Sequence, residues 1–153
     1  MKTAFICFFP VFPTNMGSAE VIRSLFLCWP GQKKLFQISH LNYNNKNSVF
    51  SIKIFKEKPI LKILCIPFLI YKILKYLGQT KKRLLVIEGP SWIGYSFITL
   101  ILTKIFSPST KVMYHSHSIE YEVRKMMSSK LMAIFSRKLE NFVFNNSNLS
   151  TSV

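Results

Sequence analysis

The chain has 153 residues, 49% of them hydrophobic with 14 Phe, and its 21 Lys and Arg stand against six Glu and no Asp, for a formal charge of +15. This length suits one domain with a real core rather than two, and the apolar content excludes a chain too polar to fold. So basic a balance calls for an anionic partner, whether nucleic acid, phosphorylated metabolites or the acidic face of a membrane.

Thr3 to Phe9 is a β-rich apolar run. The opening MKTAFICFFPVFP imitates a signal peptide, but Pro10 and Pro13 interrupt it and no small-residue cleavage site follows, so it predicts a buried first strand. Phe12 to Gly17 is a loop, and Ser18 to Cys28 has helical spacing with Ile22, Leu25 and Phe26 on one side. Lys34 to Ser39 and Val49 to Phe55 read as strands joined by a polar turn region, Asn42 to Ser48. Cys7, Cys28 and Cys65 are far apart, odd in number and set in apolar runs, which suits buried thiols in a reducing, cytoplasmic setting better than disulfides or zinc.

Pro59 to Leu77 and Ile93 to Phe106 resemble membrane spans, yet lysines keep both short of the roughly 18 uncharged apolar residues that a span needs. On a helical projection Lys58, Lys62, Lys72 and Lys75 share an arc of roughly 140°, giving a helix with one basic and one apolar side. Pro67 predicts a kink or a break into two helices. Arg83 to Ile87 is a compact buried strand, Gly89 and Pro90 punctuate, and Trp92 to Phe106 is helical. Lys111 to Tyr114 is the next strand; Tyr121 to Met127 and Lys130 to Phe144 are helices, and SNLSTSV begins another strand. Strands alternating with helices predict an α/β, Rossmann-like, three-layer fold: a parallel sheet with helices on both faces, spanning residues 1–153 as one domain.

Three places could carry chemistry. The loop Pro10 to Glu20 runs from strand to helix and offers backbone amides and a helix N-terminus to phosphate or a sugar hydroxyl, although Gly17 alone lacks a dinucleotide fingerprint. Its plainer reading makes Gly17 a turn and Ser18 a helix N-cap. His115 and His117 flank Ser116, with Glu120 following; the set is too small for metal, its functional role would be hydrogen bonding to a sugar or stabilising transition-state charge, and on the residues alone a satisfied or solvent-facing imidazole is the plainer reading. Glu88 ends its strand before Gly-Pro-Ser-Trp, where a carboxylate could grip acceptor hydroxyls and Trp92 could stack on a sugar, or the segment is an ordinary loop. The remaining basic clusters lack any nucleic-acid signature and read as solvated surface.

The order FFPVFPTNMGSAEVIRSLF, LLVIEGPSWIGYSFITLILTKIF, KVMYHSHSIEYEVRK, SRKLENFVFNNSNLSTSV resembles the N-terminal half of a retaining glycosyltransferase of family 4, with the GT-B fold. The resemblance implies a Rossmann-like acceptor domain, a nucleotide-sugar donor, no metal or other cofactor, and a glycan or lipid-linked acceptor at the inner membrane face. It implies that His117, or alternatively His115, lies near the donor sugar. Asn15, Met16, Gly17 and Ser18 would approach the donor phosphates or the acceptor, with Glu88, Trp92 and Glu120 nearby. Lys58, Lys62, Lys72 and Lys75 would face an anionic membrane. The family's donor-binding domain would follow this one, so the chain alone is expected to be inactive, a truncated product or half of a split enzyme that pairs with a separate C-terminal half. The competing reading is a non-enzymatic basic α/β module that docks on anionic membrane or on a partner domain.

Overall fold

The structure is a computed structural model that describes residues 1–13, 17–41, 43, 45, 47–55, 58–80, 82–89, 92–116 and 129–152. Six strands, β1 (Lys2–Cys7), β2 (Gln32–Ser39), β3 (Val49–Lys53), β4 (Arg83–Glu88), β5 (Lys111–Ser116) and β6 (Leu149–Ser152), form one all-parallel sheet in the order β3-β2-β1-β4-β5-β6. The described helices are α1 (Gly17–Cys28), α2 (Pro59–Leu77), α3 (Ile93–Phe106) and α4 (Lys130–Asn146). This is the Rossmann-like α/β arrangement, with the chain reversing its direction of growth between β1 and β4.

Covering both faces makes the central strands apolar throughout rather than alternating. Ala4 to Phe8 are all fully buried, which explains why a stretch resembling a leader peptide is the middle of the sheet. On one face Phe5, Leu35, Val86 and Met113 pack with Ile22 and Phe26 of α1. On the other, Ala4, Ile6, Phe36, Leu85, Ile87, Val112 and Tyr114 pack under α2, α3 and Val143 of α4.

α2 is a single helix, and Pro67 neither divides it nor ends it. The proline sits on the exposed side, where a backbone carbonyl without its helical donor can be hydrated. Lys62 departs from the expected basic face: it is buried, because it falls in the arc of Ile66, Leu69, Ile73 and Leu77 that faces the sheet. Lys58 and Lys75 are exposed and Lys72 is half-buried.

The helices run antiparallel to the strands, so their C-terminal carbonyls gather at the amino edge of the sheet, where cations are favoured. The Lys33 ammonium donates to the carbonyls of Leu27, in the last turn of α1, and of Trp29, just past it, at 2.5 and 2.7 Å. Arg83 donates to the Gly78 carbonyl at the end of α2, at 2.8 Å, and to Ser109. Gly78, at φ 60°, supplies the left-handed turn that ends α2 while its own N–H caps Leu74.

Leu69 is fully buried beneath α2, so Leu69→Ala is expected to cost about 2–5 kcal/mol in urea unfolding, whereas Phe68→Ala one residue away, half exposed, should cost under about 1 kcal/mol. Equal losses at both positions would contradict the orientation of α2.

Candidate functional site

In an open parallel sheet the ligand crevice lies beyond the carboxyl ends of the strands, at the point where strand order reverses. Here that point is between β1 and β4. Residues partnered across parallel strands point to the same face. Ser51 faces Gln37, Gln37 faces Cys7, Glu88 faces His115, and His115 faces Thr151. Ile6 faces Ile87, so Cys7 and Glu88 follow together one residue on. The result is a row of six polar or thiol side chains across the whole sheet, on the α1 side at its carboxyl edge, directly above the apolar row of Phe5, Leu35, Val86 and Met113.

The row is held by its own hydrogen bonds. Gln37 donates through Nε2 to Ser51 Oγ at 2.8 Å and to the Phe12 carbonyl at 2.9 Å. Its Oε1 accepts from the N–H groups of Val11 and Phe12 at 2.9 and 3.2 Å. One buried amide thus moors the loop that leads to α1. His115 Nδ1 lies 2.7 Å from Thr151 Oγ1, joining β5 to β6 by side chains as well as backbone. Glu88 is fully buried. Burial, and next the Glu88 carboxylate, push the Cys7 thiol well above its ordinary range, so Cys7 is a small apolar filler and not a nucleophile.

Glycines shape the turns after the strands. A Cβ on Gly89 would stand 2.6 Å from the Tyr114 hydroxyl, so the chain leaves β4 through a place that only glycine fits, and the Gly89 N–H donates to the His115 carbonyl at 2.8 Å. A Cβ on Gly94 would meet the Trp92 ring at 2.5 Å. Trp92 is half-buried, lying on Gly94 and edge-on to Tyr95 with centroids 5.4 Å apart, so much of the indole surface expected to stack on a sugar is committed to packing. Gly17 is different: it opens α1 with nothing near its would-be Cβ, and Ser18 stands inside the first turn rather than at the N-cap.

The sequence-derived candidates therefore divide. Glu88 and His115 are neighbours in the polar row, Gly17 and Ser18 open α1, and Trp92 sits at the start of α3. His117, Glu120, Asn15 and Met16, with the expected helix Tyr121 to Met127, lie outside the described residues. Among the described residues no group of three or more His, Cys, Asp or Glu is arranged to hold a metal ion. Gln37, Ser51 and Thr151 were not anticipated; the available signal was a lone amide inside the buried run Leu35 to Ile38. A hollow of about 550 Å3 lies at the opposite, amino edge, lined by Lys82, Arg83, Lys111 and Asn148 among others. Its basic lining matches the helix C-termini gathered there, so the carboxyl-edge row remains the better place for chemistry. Comparison with protein-family models and with curated proteins finds no match.

Two substitutions test this geometry. Gly89→Ala should cost about 1–3 kcal/mol through the Tyr114 clash, while Gly17→Ala should be neutral or stabilise by about 0.4–1 kcal/mol, both read from urea midpoints. In the folded protein a thiol reagent should label exposed Cys28 and spare Cys7 until unfolding. Because Cys7 is raised in the folded state, its contribution to stability is complete below the unfolded thiol's pKa and declines from about pH 8.5 upward. Cys7→Ala should accordingly lose stability less steeply than wild type above that pH.

Proposed function

We propose that this domain is the acceptor-side lobe of a retaining GT-B glycosyltransferase, working with a donor-binding lobe to move a sugar from a nucleotide-sugar to a glycan or lipid-linked acceptor. The setting would be synthesis of cell-surface polysaccharide or glycolipid at the cytoplasmic face of the membrane. The observation that carries the reading is the pairing of Glu88 with His115 at the ends of β4 and β5, beside the switch point and within a continuous polar row. Glu88 and His115, which belong to the sequence motifs that resemble the family, lie at this same edge.

In the proposed reaction the anomeric bond to the nucleoside diphosphate breaks, and an acceptor hydroxyl bonds to the same carbon with retained configuration while its proton passes to the departing diphosphate. His117 meets the donor sugar, hydrogen-bonding it and stabilising charge as the bond breaks. His115 is the weaker candidate, because it is buried and its Nδ1 is occupied by Thr151. Glu88, with Glu120, binds hydroxyls of the sugars. The amides at the start of α1 and the segment Asn15 to Ser18 approach the diphosphate or an anionic acceptor. No metal and no cofactor other than the donor itself enters the proposal.

With a donor-binding lobe supplied, His117→Ala is expected to lower kcat by about 100- to 1,000-fold while leaving donor binding nearly unchanged. This domain alone should show little turnover of a radiolabelled nucleotide-sugar, since groups that bind the leaving diphosphate act mainly in the transition state. An unchanged kcat in His117→Ala, or robust turnover by the isolated domain, would overturn the proposal.

A further inference from the structure

A helix packed on a sheet normally turns its polar residues to water. The outward face of α2 does the opposite. Ile60, Leu64, Phe68 and Tyr71 are all exposed, Leu64 by 68% and Ile60 by 70%. At about 100° per residue these four and Lys75 share an arc of roughly 80°, opposite the residues that α2 buries. The apolar surface continues onto the end of α3, where Ile105 and Phe106 are exposed. Phe106 joins Pro67, Tyr71, Leu74 and Lys75 around a hollow of about 380 Å3 between the two helices.

Cations border this surface. Lys58 stands at the start of α2, Lys75 near its end, and the Lys72 ammonium lies 5.1 Å from the Phe68 ring centroid. Besides the buried Lys62, residues 58–77 contain three Lys and no acid, and residues 93–106 contain one Lys and no acid.

We infer that the outer face of α2, with the end of α3, is a docking surface for the anionic face of a lipid bilayer. None of the described helices is long and apolar enough to cross a membrane, so α2 lies in the interfacial plane with its apolar side chains among the acyl chains and its lysines at the phosphates. Charge selects this occupant over a second copy of the chain, which carries the same +15 and would bring lysines against lysines. An anionic bilayer meets the apolar stripe and the cationic border together. The inference does not depend on the transferase proposal.

Co-sedimentation with vesicles tests it. Phosphatidylcholine vesicles containing phosphatidylglycerol should retain the protein about tenfold more than phosphatidylcholine alone, and added salt should weaken retention. The double variant Leu64→Glu, Phe68→Glu should lose about tenfold or more of that binding. Its thermal melt should fall by no more than about 5 °C, because neither side chain is buried. Lys72→Glu with Lys75→Glu should weaken binding and flatten its salt dependence. Equal binding by the Leu64, Phe68 variant and wild type, or indifference to anionic lipid, would overturn the inference. So would a salt-resistant dimer in sedimentation velocity that the same variant dissociates, since the face would then belong to a second copy.

Discussion

The hydrogen-bond register of the parallel sheet is the constraint on which the rest depends. Because partnered residues share a face, the alignment of Phe5 with Leu35 and Val86, and of Val86 with Met113, sets an apolar layer for α1 to cover. Two residues further along every strand, the same alignment yields Ser51, Gln37, Cys7, Glu88, His115 and Thr151 in a line. A slip of one residue in a single strand would send that strand's polar side chain to the face of α2, α3 and α4, into the larger apolar cluster and away from its partners in the row. The apolar layer and the polar row are thus one feature, and the strand-order reversal beside β1 fixes where along the row a ligand can enter.

The charge of the chain is arranged by the same topology. Every described helix begins near the carboxyl edge and ends near the amino edge, so helix dipoles make the two edges of the sheet unlike. Lys33 and Arg83 answer the C-terminal carbonyls of α1 and α2, which explains basic residues at strand starts without invoking a ligand. The carboxyl edge instead holds the buried Glu88 and the imidazole of His115, both short of water, with His115 hydrogen-bonded to the Thr151 side chain of β6. Some of the +15 is therefore structural, and the portion bordering α2 is combined with apolar surface that a dissolved protein has no reason to expose.

The two apolar faces of α2 show what a single chain can specify locally and what it cannot. Both faces have leucine, isoleucine and aromatic residues, so a hydrophobic pattern marks the helix but not its inward side. Packing chose the side with Ile66, Leu69, Ile73 and Leu77, and Lys62 went in with them because its position on the helix left no alternative. A lysine carries four methylenes and can lie along an apolar surface, which makes such a choice tolerable.

Strand and helix periods, with Gly and Pro as punctuation, were enough to locate the described elements of the α/β fold to within about two residues, since those patterns arise from backbone geometry within each segment. Lys111 to Tyr114 was legible as a strand, but whether it ran on to His115 or to His117 was not, because a polar end looks like a loop until a neighbouring strand supplies hydrogen bonds. Glu88 and His115 were legible as strand-end residues; that they stand side by side, with Gln37 and Thr151 completing the line, was not. The amino-acid sequence by itself determined what each segment becomes and that the whole must be a covered parallel sheet. Only the tertiary structure decided strand order, register and the inward face of α2, because these depend on contacts between residues distant in the chain, which no local period encodes.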